Sequence, residues 1–205
     1  MGRISIDLFT TLDGVAQAPG APEEDPSSGF EFGGWQAPLQ DPLVGERVLA
    51  GILEMDALLL GRRTYDIFAA YWPFHLDGPP GPIGRRFAEV PKYVASRGPL
   101  ELSWEGSSLL GSDLVAEVGA LRERHEDVHV IGSIGLVQTL LAHDLFDVLN
   151  LWMHPVVLGQ GRKVFPDGAH PERLRLLSPA ETGERGVVAL RYGPTGERPG
   201  AGVMG

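Results

Sequence analysis

The chain has 205 residues, 43% of them hydrophobic and 21% charged, which is enough for one folded domain with a complete core. No apolar run approaches the length of about 18 residues that a membrane span needs, and the absence of cysteine excludes disulfides and thiolate metal sites. The formal net charge of −10 argues against nucleic acid or an anionic membrane as the general partner.

Strand and helix patterns alternate along the chain, which predicts an α/β domain. The first strand begins almost at the N-terminus and leaves no room for a signal peptide, so we expect a cytoplasmic protein. We expect one domain over 1–192, in which the aromatic residues of a long loop over 18–40 favour a folded-over lid, and a loose C-terminal tail over 193–205. The predicted elements are, in chain order, a strand over 4–9, the lid-like loop, a helix from the N-cap Asp41 to about Met55, a strand over 57–60, a helix from Thr64 to about Ala70, a proline-broken loop over 71–84, a strand over 92–96, a helix over 114–124, a strand over 128–131, a helix over 134–142, a strand over 148–153 and an antiparallel pair over 174–177 and 187–192.

Positive charge is concentrated in one segment of this acidic chain. Residues 62–97 contain six cations and three acidic residues. Two of the cations, Arg62 and Arg63, lie just before the predicted start of a helix, where the helix dipole disfavours a cation by roughly 0.3–1 kcal/mol. The segment therefore predicts a small anionic ligand, with chance clustering of charge as the alternative.

Three predicted strands end in small or cationic residues. Their sequences are LLLGRRT over 58–64, YVASRG over 93–98 and HVIGSIGL over 129–136. In an open α/β sheet, ligands bind outside the carboxyl ends of the strands, where helix N-termini present free N–H groups to anions. Together the three strand ends predict one elongated anion site, suited to a dinucleotide with an extra phosphate.

Each of these motifs has a functional and a structural interpretation. In the functional one, Thr64 and the first-turn amides bind a pyrophosphate, the arginines before it hold a further phosphate, and Ser96 and Arg97 receive a phosphate monoester. Gly132 and Gly135 would let a phosphate approach the backbone. In the structural one, the arginines point into solvent, Ser-Arg-Gly is an ordinary turn, and GSIGL is a plain strand-to-helix connection.

Two residues of the predicted loops could face a substrate. Asp13, in TLDG, could contact a ligand from the end of the first strand, or it could cap a turn. Trp35 could cover a substrate or cofactor ring, or it could simply pack the lid. The six histidines show no HExxH pattern and no matched carboxylate cluster, so the sequence predicts no metal site, and it contains no P-loop or nucleophile elbow.

Two stretches resemble known families. DALLLGRRTYDIFAAYWP, over 56–73, resembles the strand-loop-helix of the dihydrofolate reductase fold. HVIGSIGLVQTLLAHDLFDVLNLWMHPVVLGQGRKVF, over 129–165, is similar to the later half of the C-terminal domain family of riboflavin-biosynthesis deaminase-reductases, and TTLDG matches that family's first strand ending. The similarity extends over about residues 3–192. The zinc signature of a deaminase half is absent, and Glu46 and Glu54 do not match the helix carboxylate motif of folate reductases.

The resemblance implies a NADPH-dependent reductase with a three-layer α/β/α sandwich, in which a mixed, mostly parallel central sheet has antiparallel C-terminal strands. It implies transfer of a hydride to a small, flat heterocyclic or conjugated substrate, similar to a pterin or a riboflavin precursor. The implied substrate-side residues are Asp13, Trp35, Tyr65 and Phe68. The implied cofactor-binding residues are Gly61, Arg62, Arg63, Thr64, Ser96, Arg97, Gly132, Ser133, Ile134, Gly135 and Leu136.

Two other functions fit the same residues. A flavin-dependent reductase would use the same phosphate sites for FMN, and a nucleotide-binding module would retain the site without turnover. The resemblance also suggests a homodimer, with the apolar C-terminal strands as its interface.

Overall fold

The protein folds around one mixed β-sheet of nine strands. This computed structural model describes residues 1–203. The order across the sheet is β4-β3-β2-β5-β1-β6-β9-β7, with β8 paired to β9. Neighbours among the first six strands are parallel, whereas β9 is antiparallel to β6, β7 and β8, which confirms the predicted sheet. The strands are β1 (Arg3–Thr11), β2 (Ala57–Gly61), β3 (Lys92–Ala95), β4 (Ser107–Leu109), β5 (Asp127–Ile131), β6 (Val148–His154), β7 (Leu174–Leu176), β8 (Glu181–Thr182) and β9 (Val188–Pro194).

Helices cover both faces of the sheet, as the sandwich prediction requires. On one face, α4 and α5 pack against alternate apolar residues of β1 and β5, and on the other face α1, α2 and α3 pack against β2 and β3. Within the described residues, no helix has both the length and the hydropathy needed to cross a bilayer. The helices are α1 (Pro42–Glu54), α2 (Arg62–Tyr71), α3 (Gly81–Glu89), α4 (Leu114–Arg124) and α5 (Ile134–Ala142).

The central strand β1 has two chemically different faces. Successive side chains of a strand point to opposite sides of the sheet. Ile4, Ile6 and Leu8 enter the apolar core beneath α4 and α5. Ser5 and Asp7 lie on the side covered by α1, so a polar strip is enclosed between that helix and the sheet.

Several helix boundaries follow local sequence rules. The bounds of α4 and α5 are those predicted, and Asp41 caps α1 by accepting a hydrogen bond from the Leu43 amide at 3.0 Å. The predicted start of α2 at Thr64 is wrong, because the helix begins at Arg62 with Gly61 as its N-cap. Arginine favours helical conformation, and the extended backbone of the glycine marks the end of β2.

The prediction of a proline-broken loop over 71–84 is also wrong at both ends of that range. A short 3-10 turn forms at Trp72–Phe74, and α3 begins at Gly81. A proline in the first turn of α3 is tolerated because the first amides of a helix have no intrahelical acceptor. The sequence analysis also missed β4 and β8, whose three and two residues are too short to show a periodic pattern.

The C-terminal strand extends beyond its predicted end. β9 continues two residues past Tyr192, and the backbone amide of Arg173 donates to the Glu197 carbonyl at 3.0 Å. Part of the predicted loose tail is therefore bonded to the chain just before β7. The last two residues of that predicted tail, Met204 and Gly205, lie outside the described residues.

The long loop over 18–40 folds against the sheet through its aromatic residues. Phe30 and Trp35 are buried in a cluster with Val15, whereas Phe32 is 43% exposed. The indole Nε1 of Trp35 donates to the Gln17 carbonyl at 2.8 Å. The loop therefore has an apolar core of its own beside the end of β1.

Candidate functional site

The three sequence motifs meet at one edge of the sheet. β3, β2 and β5 are neighbours and run parallel, so the residues that follow them emerge side by side at their carboxyl ends. The structure thus brings Arg62, Arg97 and Gly132 to the same edge. This is the edge at which open α/β sheets bind their ligands.

A pair of hydrogen bonds ties two of these strand ends together. The Gly61 amide donates to the Ser133 hydroxyl oxygen at 2.9 Å, and the Ser133 amide donates to the Thr64 hydroxyl oxygen at 2.9 Å. Thr64 and Ser133 both keep their hydroxyl hydrogens available for another acceptor. The start of α2 and the start of α5 are therefore held in fixed relative positions.

The turn before α5 has an unusual backbone conformation. Gly132 and Ser133 both have positive φ, at 65° and 52°. Glycine adopts this region freely, whereas serine is strained there by roughly 1–2 kcal/mol. The bond from Gly61 to the Ser133 hydroxyl offsets part of that strain.

The helices that start at this edge have no side-chain caps. Gly61, which precedes α2, has no side chain, and the side chain of Ser133, which precedes α5, does not bond to an amide of that helix. The first amides of Ile134, Gly135 and Leu136, like those of α2, are oriented for an acceptor outside their own helix. Both helix dipoles add positive potential at this edge of the sheet.

The three candidate arginines take different directions. Arg62 Nη1 donates to the Pro99 carbonyl at 3.3 Å, so its side chain extends toward the turn that follows β3. Arg97, in that turn, is exposed to solvent. Ser96 closes the turn, because its hydroxyl donates to the Gly98 carbonyl at 2.8 Å. Arg62 and the turn that holds Arg97 therefore lie on the same side of this edge of the sheet.

Arg63 extends instead toward the long loop. Its Nη1 lies 3.5 Å from Oδ2 of Asp25 and 3.3 Å from the hydroxyl oxygen of Ser27. Asp25 is buried and also pairs with Arg162. The chain itself therefore supplies the anion that faces Arg63, and the two neighbouring arginines have different partners.

The substrate-side candidates of the loops both have structural partners. The Asp13 carboxylate accepts a hydrogen bond from the Thr11 hydroxyl at 2.6 Å and another from the Gly159 amide at 2.8 Å. Trp35 packs edge-on against His154, with 5.3 Å between ring centroids. Asp13 therefore joins the end of β1 to the chain after β6, and Trp35 holds the long loop on top of β6.

The two aromatic candidates of α2 lie in a buried aromatic cluster. Tyr65 is 1% exposed, and its hydroxyl oxygen accepts a hydrogen bond from the Trp104 amide at 2.9 Å. Phe68 stacks on Phe87 with 5.8 Å between centroids and meets Trp72 edge-on. These contacts hold α2 against α3 and bury the two aromatic rings between the helices.

A second polar site, which the sequence analysis missed, lies between α1 and the sheet. His129 of β5 lies between two carboxylates, with Nδ1 2.7 Å from Oδ2 of Asp7 and Nε2 3.3 Å from Oδ2 of Asp127. Asn150 donates to Oδ1 of Asp7 at 2.9 Å, and Arg3 pairs with Asp127 at 2.5 Å. The side chains come from three strands, and the hydrogen-bonded pair Asp7 and Asn150 is 143 residues apart, so no local motif reveals the network.

Charge pairing fixes the protonation of this network. Burial disfavours the imidazolium, but the neighbouring carboxylates Asp127 and Asp7 outweigh it and raise the pKa of His129 to about 9. Burial also works against ionisation of Asp127, yet His129 and Arg3 hold the pKa of that carboxyl well below its usual range. At neutral pH the histidine is therefore a buried cation between two carboxylates.

This network lines a cavity of about 370 Å³. A neighbouring cavity of about 340 Å³, at the amino ends of β1 and β5, shares Arg3, Glu54 and Asp127 with it. Neither of these two cavities is lined by the candidate residues of the GRRT, SRG and GSIGL motifs. The helix carboxylate Glu54 thus lies at the amino-end edge, while Glu46 is exposed to solvent.

Substitution of Ser133 tests the two hydrogen bonds at the strand ends. Ser133→Ala removes the acceptor of the Gly61 amide and keeps the strained φ, so we expect a loss of about 1–3 kcal/mol in the free energy of unfolding. Ser133→Gly removes the same acceptor but relieves the strain, so it should cost about 1 kcal/mol less. Urea unfolding measures both, with the exposed Ser112→Ala as the control. A glycine variant less stable than the alanine variant would contradict this account.

The pH dependence of stability tests the charge of His129. Its folded pKa of about 9 lies above the ordinary value of 6.5, so its contribution is complete below pH 6.5 and is lost as the pH rises through 9. The free energy of unfolding should fall over this range by on the order of 3 kcal/mol. Denaturant unfolding between pH 6 and pH 10 measures the fall, and His129→Gln should flatten it while the exposed His143→Gln leaves it unchanged. An equal fall in the His129 variant would show that other groups cause it.

Comparison with known proteins agrees with this fold. A Bacillus subtilis (strain 168) protein, the uncharacterised YyaP, is 26% identical over 197 residues, which cover 93% of this chain and 94% of that protein. A riboflavin biosynthesis protein from Shewanella sp. PV-4 superposes with a TM-score of 0.69 at 20% identity, over 94% of this chain and 99% of that one.

Dihydrofolate reductase from Enterococcus faecalis, solved with NADP(H), superposes with a TM-score of 0.54 at 18% identity, over 95% of this chain and 97% of that one. These similarities confirm the predicted dihydrofolate reductase-like architecture. A model of the RibD C-terminal domain matches residues 3–188. Since that match covers most of the chain, the protein belongs to the RibD C-terminal domain family.

Proposed function

We propose that the protein is a NADPH-dependent reductase that transfers a hydride to a small, flat heterocyclic or conjugated molecule. The observation that carries this proposal is the pair of uncapped helix N-termini on neighbouring parallel strands, joined through Gly61, Thr64 and Ser133. Uncapped termini of this kind bind phosphates through backbone amides. Membership of the RibD C-terminal domain family and the NADP(H) complex of the structurally similar folate reductase support a nicotinamide dinucleotide as the ligand.

In the proposed pyrophosphate site, backbone amides contribute more of the phosphate contacts than charged side chains do. The first amides of α2 and α5 would donate to the phosphate oxygens, together with the hydroxyl hydrogens of Thr64 and Ser133. Gly132 would let a phosphate approach the backbone, because it has no side chain and its φ of 65° is one that glycine adopts freely. A Cβ at Gly135 would meet no heavy atom within 4 Å, so space is open there as well.

Arg62 and Arg97 are the proposed ligands of the adenosine 2′-phosphate. Arg62 extends toward the Ser96–Pro99 turn, and Arg97 is exposed in that turn, so both guanidinium groups can reach a phosphate beside β3. Arg63 has a different role in this proposal. Its contact with Asp25 ties the long loop to the first turn of α2, and the loop would close over the nicotinamide end of the cofactor.

The cofactor supplies the chemistry when it is bound, namely a hydride for a carbon atom of the substrate. The protein orients the reacting rings and limits the access of water. The long loop suits the second task, because Trp35 and Phe30 anchor it beside the end of β1. Asp13 would keep the end of β1 attached to the segment after β6, so that the floor of the site is rigid.

Binding measurements with four arginine variants test the cofactor assignment. Loss of a charge-assisted phosphate contact costs about 1.5–3 kcal/mol, so Arg97→Ala and Arg62→Ala should each weaken NADPH binding at least tenfold and leave NADH binding unchanged. Arg63→Ala should weaken both nucleotides alike, because it acts through the loop. Arg175→Ala, an exposed cation on β7, is the matched control and should change neither.

Fluorescence titration of the purified variants gives these affinities. Equal losses for NADH and NADPH in Arg97→Ala would contradict the 2′-phosphate assignment. Preferential binding of FMN and a yellow purified protein would favour the flavin-dependent alternative. Tight NADPH binding without its oxidation by pterins, flavin precursors, quinones or enones would favour the binding module.

We also infer a homodimer whose interface includes the apolar C-terminal strands. Leu176, in the edge strand β7, and Leu177, directly after it, are 48% and 38% exposed, which supports an apolar contact at this edge. Light scattering of the purified protein should give twice the chain mass of 22.1 kDa, and Leu176→Glu should reduce it to the monomer. A monomeric parent protein would contradict the inference.

A further inference from the structure

One buried carboxylate lies between two arginines from distant parts of the chain. Asp25, in the long loop, is 7% exposed. Its Oδ2 lies 3.5 Å from Nη1 of Arg63, at the start of α2, and it also pairs with Nη2 of Arg162, in the segment after β6. The hydroxyl oxygen of Ser27 lies 3.3 Å from the same Nη1 of Arg63. Two guanidinium groups beside a hydroxyl are donors of the kind that bind a phosphate group.

The loop holds this carboxylate in place. Gln17 is 1% exposed, and its Nε2 donates to the backbone carbonyls of Asp25 and Ser27 at 3.0 and 3.1 Å. Its Oε1 accepts a hydrogen bond from the Arg162 amide at 3.0 Å. The Ser27 amide donates to Oδ1 of Asp25 at 3.2 Å. One buried glutamine therefore positions both the carboxylate and one of its arginines.

The contact between Arg63 and Asp25 crosses the end of β5. Arg63 follows β2, whereas Arg162 lies beside the chain after β1, because the Ala16 amide donates to its backbone carbonyl at 2.9 Å. β5 lies between β2 and β1 in the sheet. The contact therefore joins the two sides of the GSIGL turn at the end of β5. In the proposed function, the nicotinamide and the substrate would meet beneath this contact.

The long loop that covers this region is acidic. Residues 18–40 contain no lysine, arginine or histidine, and they contain four acidic residues, Glu23, Glu24, Asp25 and Glu31. Against their formal charge of −4, the adjacent Arg63, Arg162 and Lys163 supply +3, which leaves −1. With Asp25 in place, the loop therefore offers no net attraction to a second anion.

The arginine pair has donors that the carboxylate does not use. Oδ2 of Asp25 accepts from both guanidinium groups, while Oδ1 accepts from the Ser27 amide. Among the described residues, Nε of Arg162 is buried and has no hydrogen-bond acceptor. A phosphate group has more oxygen atoms than a carboxylate, so in the absence of Asp25 it could also accept from that Nε. Asp25 thus occupies a site whose donors suit a phosphate group.

We propose that Asp25 is a specificity-determining residue, which occupies the Arg63–Arg162 pair from within the chain and restricts the substrate to molecules without a phosphate group. A tethered group has an effective concentration in the millimolar range even on a flexible linker, and Gln17 holds Asp25 more firmly than that. A free phosphate below that concentration does not displace it. Only the statement about the substrate rests on the proposed reductase function.

Titration with inorganic phosphate tests the occupation of the arginine pair, with NMR detection of the arginine Nε–H signals. Asp25→Asn removes the charge and keeps an oxygen for the Ser27 amide, so it should bind phosphate at least about tenfold more tightly than the parent protein. Glu23→Gln removes the same charge from an exposed residue of the same loop and should leave phosphate affinity unchanged. Addition of Arg63→Gln to Asp25→Asn should abolish the gain.

The parent protein covers the case in which Asp25→Asn fails to fold. Its Arg63 and Arg162 signals should not respond to phosphate at up to about 10 mM, and a saturable response there would overturn the proposal. A folded Asp25→Asn variant that binds phosphate no better than the parent, or an equal gain in Glu23→Gln, would overturn it as well.

Turnover separates this inference from the proposed function. For any compound that oxidises NADPH with the parent protein, its phosphate ester should react with a kcat/KM at least about tenfold lower, and Asp25→Asn should narrow that difference. Riboflavin and FMN are one such pair of probes. A compound that reacts only as its phosphate ester would overturn the inference about the substrate. Phosphate binding gained in Asp25→Asn without any NADPH binding would retain the role of Asp25 and overturn the proposed reductase function instead.

Discussion

The parallel pairing of β1 with β5 and β6 is the constraint on which the rest of the structure depends. This register sends Ile4, Ile6 and Leu8 into the apolar core beneath α4 and α5. The same register sends Ser5 and Asp7 to the opposite face, where they meet polar side chains of β5 and β6. A slip of one residue would exchange the two sets and bury the polar strip in the core. The core and the polar cavity therefore follow from a single choice of pairing.

The carboxyl edge of the sheet follows from the same parallel arrangement. Parallel strands place their ends together, so α2 and α5 begin side by side and contribute positive potential from their dipoles to one place. The chain neutralises part of that potential itself, through the buried Asp25 opposite Arg63. Arg62 and Arg97 lie on the other side of the edge, near the turn after β3, and the ion pair that Arg62 makes there is a long one, with Asp66 at 3.8 Å.

Sequence reasoning succeeded where the determinants are local. The cap at Asp41, the bounds of α4 and α5, and the grouping of three strand ends follow from spacing and from the rules of parallel sheets. The start of α3 was missed because its prolines indicate a loop until their first-turn position is known. Tyr65 could not be placed in the buried aromatic cluster, since α3 and the Trp104 segment that contacts it are distant in sequence.

The polar cavity escaped sequence reasoning for a different reason. Alternation of polar and apolar residues in β1 is ordinarily interpreted as one face in the core and one face in water. Here the polar face is covered by α1, and its charges are paired across strands by His129 and Asn150. A histidine at the centre of an apolar strand was the one local signal, and its meaning depends on two carboxylates, one of them in another strand.

The hydroxyl groups of Thr64 and Ser133 have a consequence for the kind of molecule that this edge can attract. Each oxygen already accepts a hydrogen bond from a peptide N–H, and its own O–H group remains available to donate outward. Together with the free amides of both helices, they make a surface that is rich in hydrogen-bond donors. Such a surface discriminates by polarity alone: it admits oxygen-rich anionic groups and disfavours ammonium and guanidinium groups before any arginine takes part.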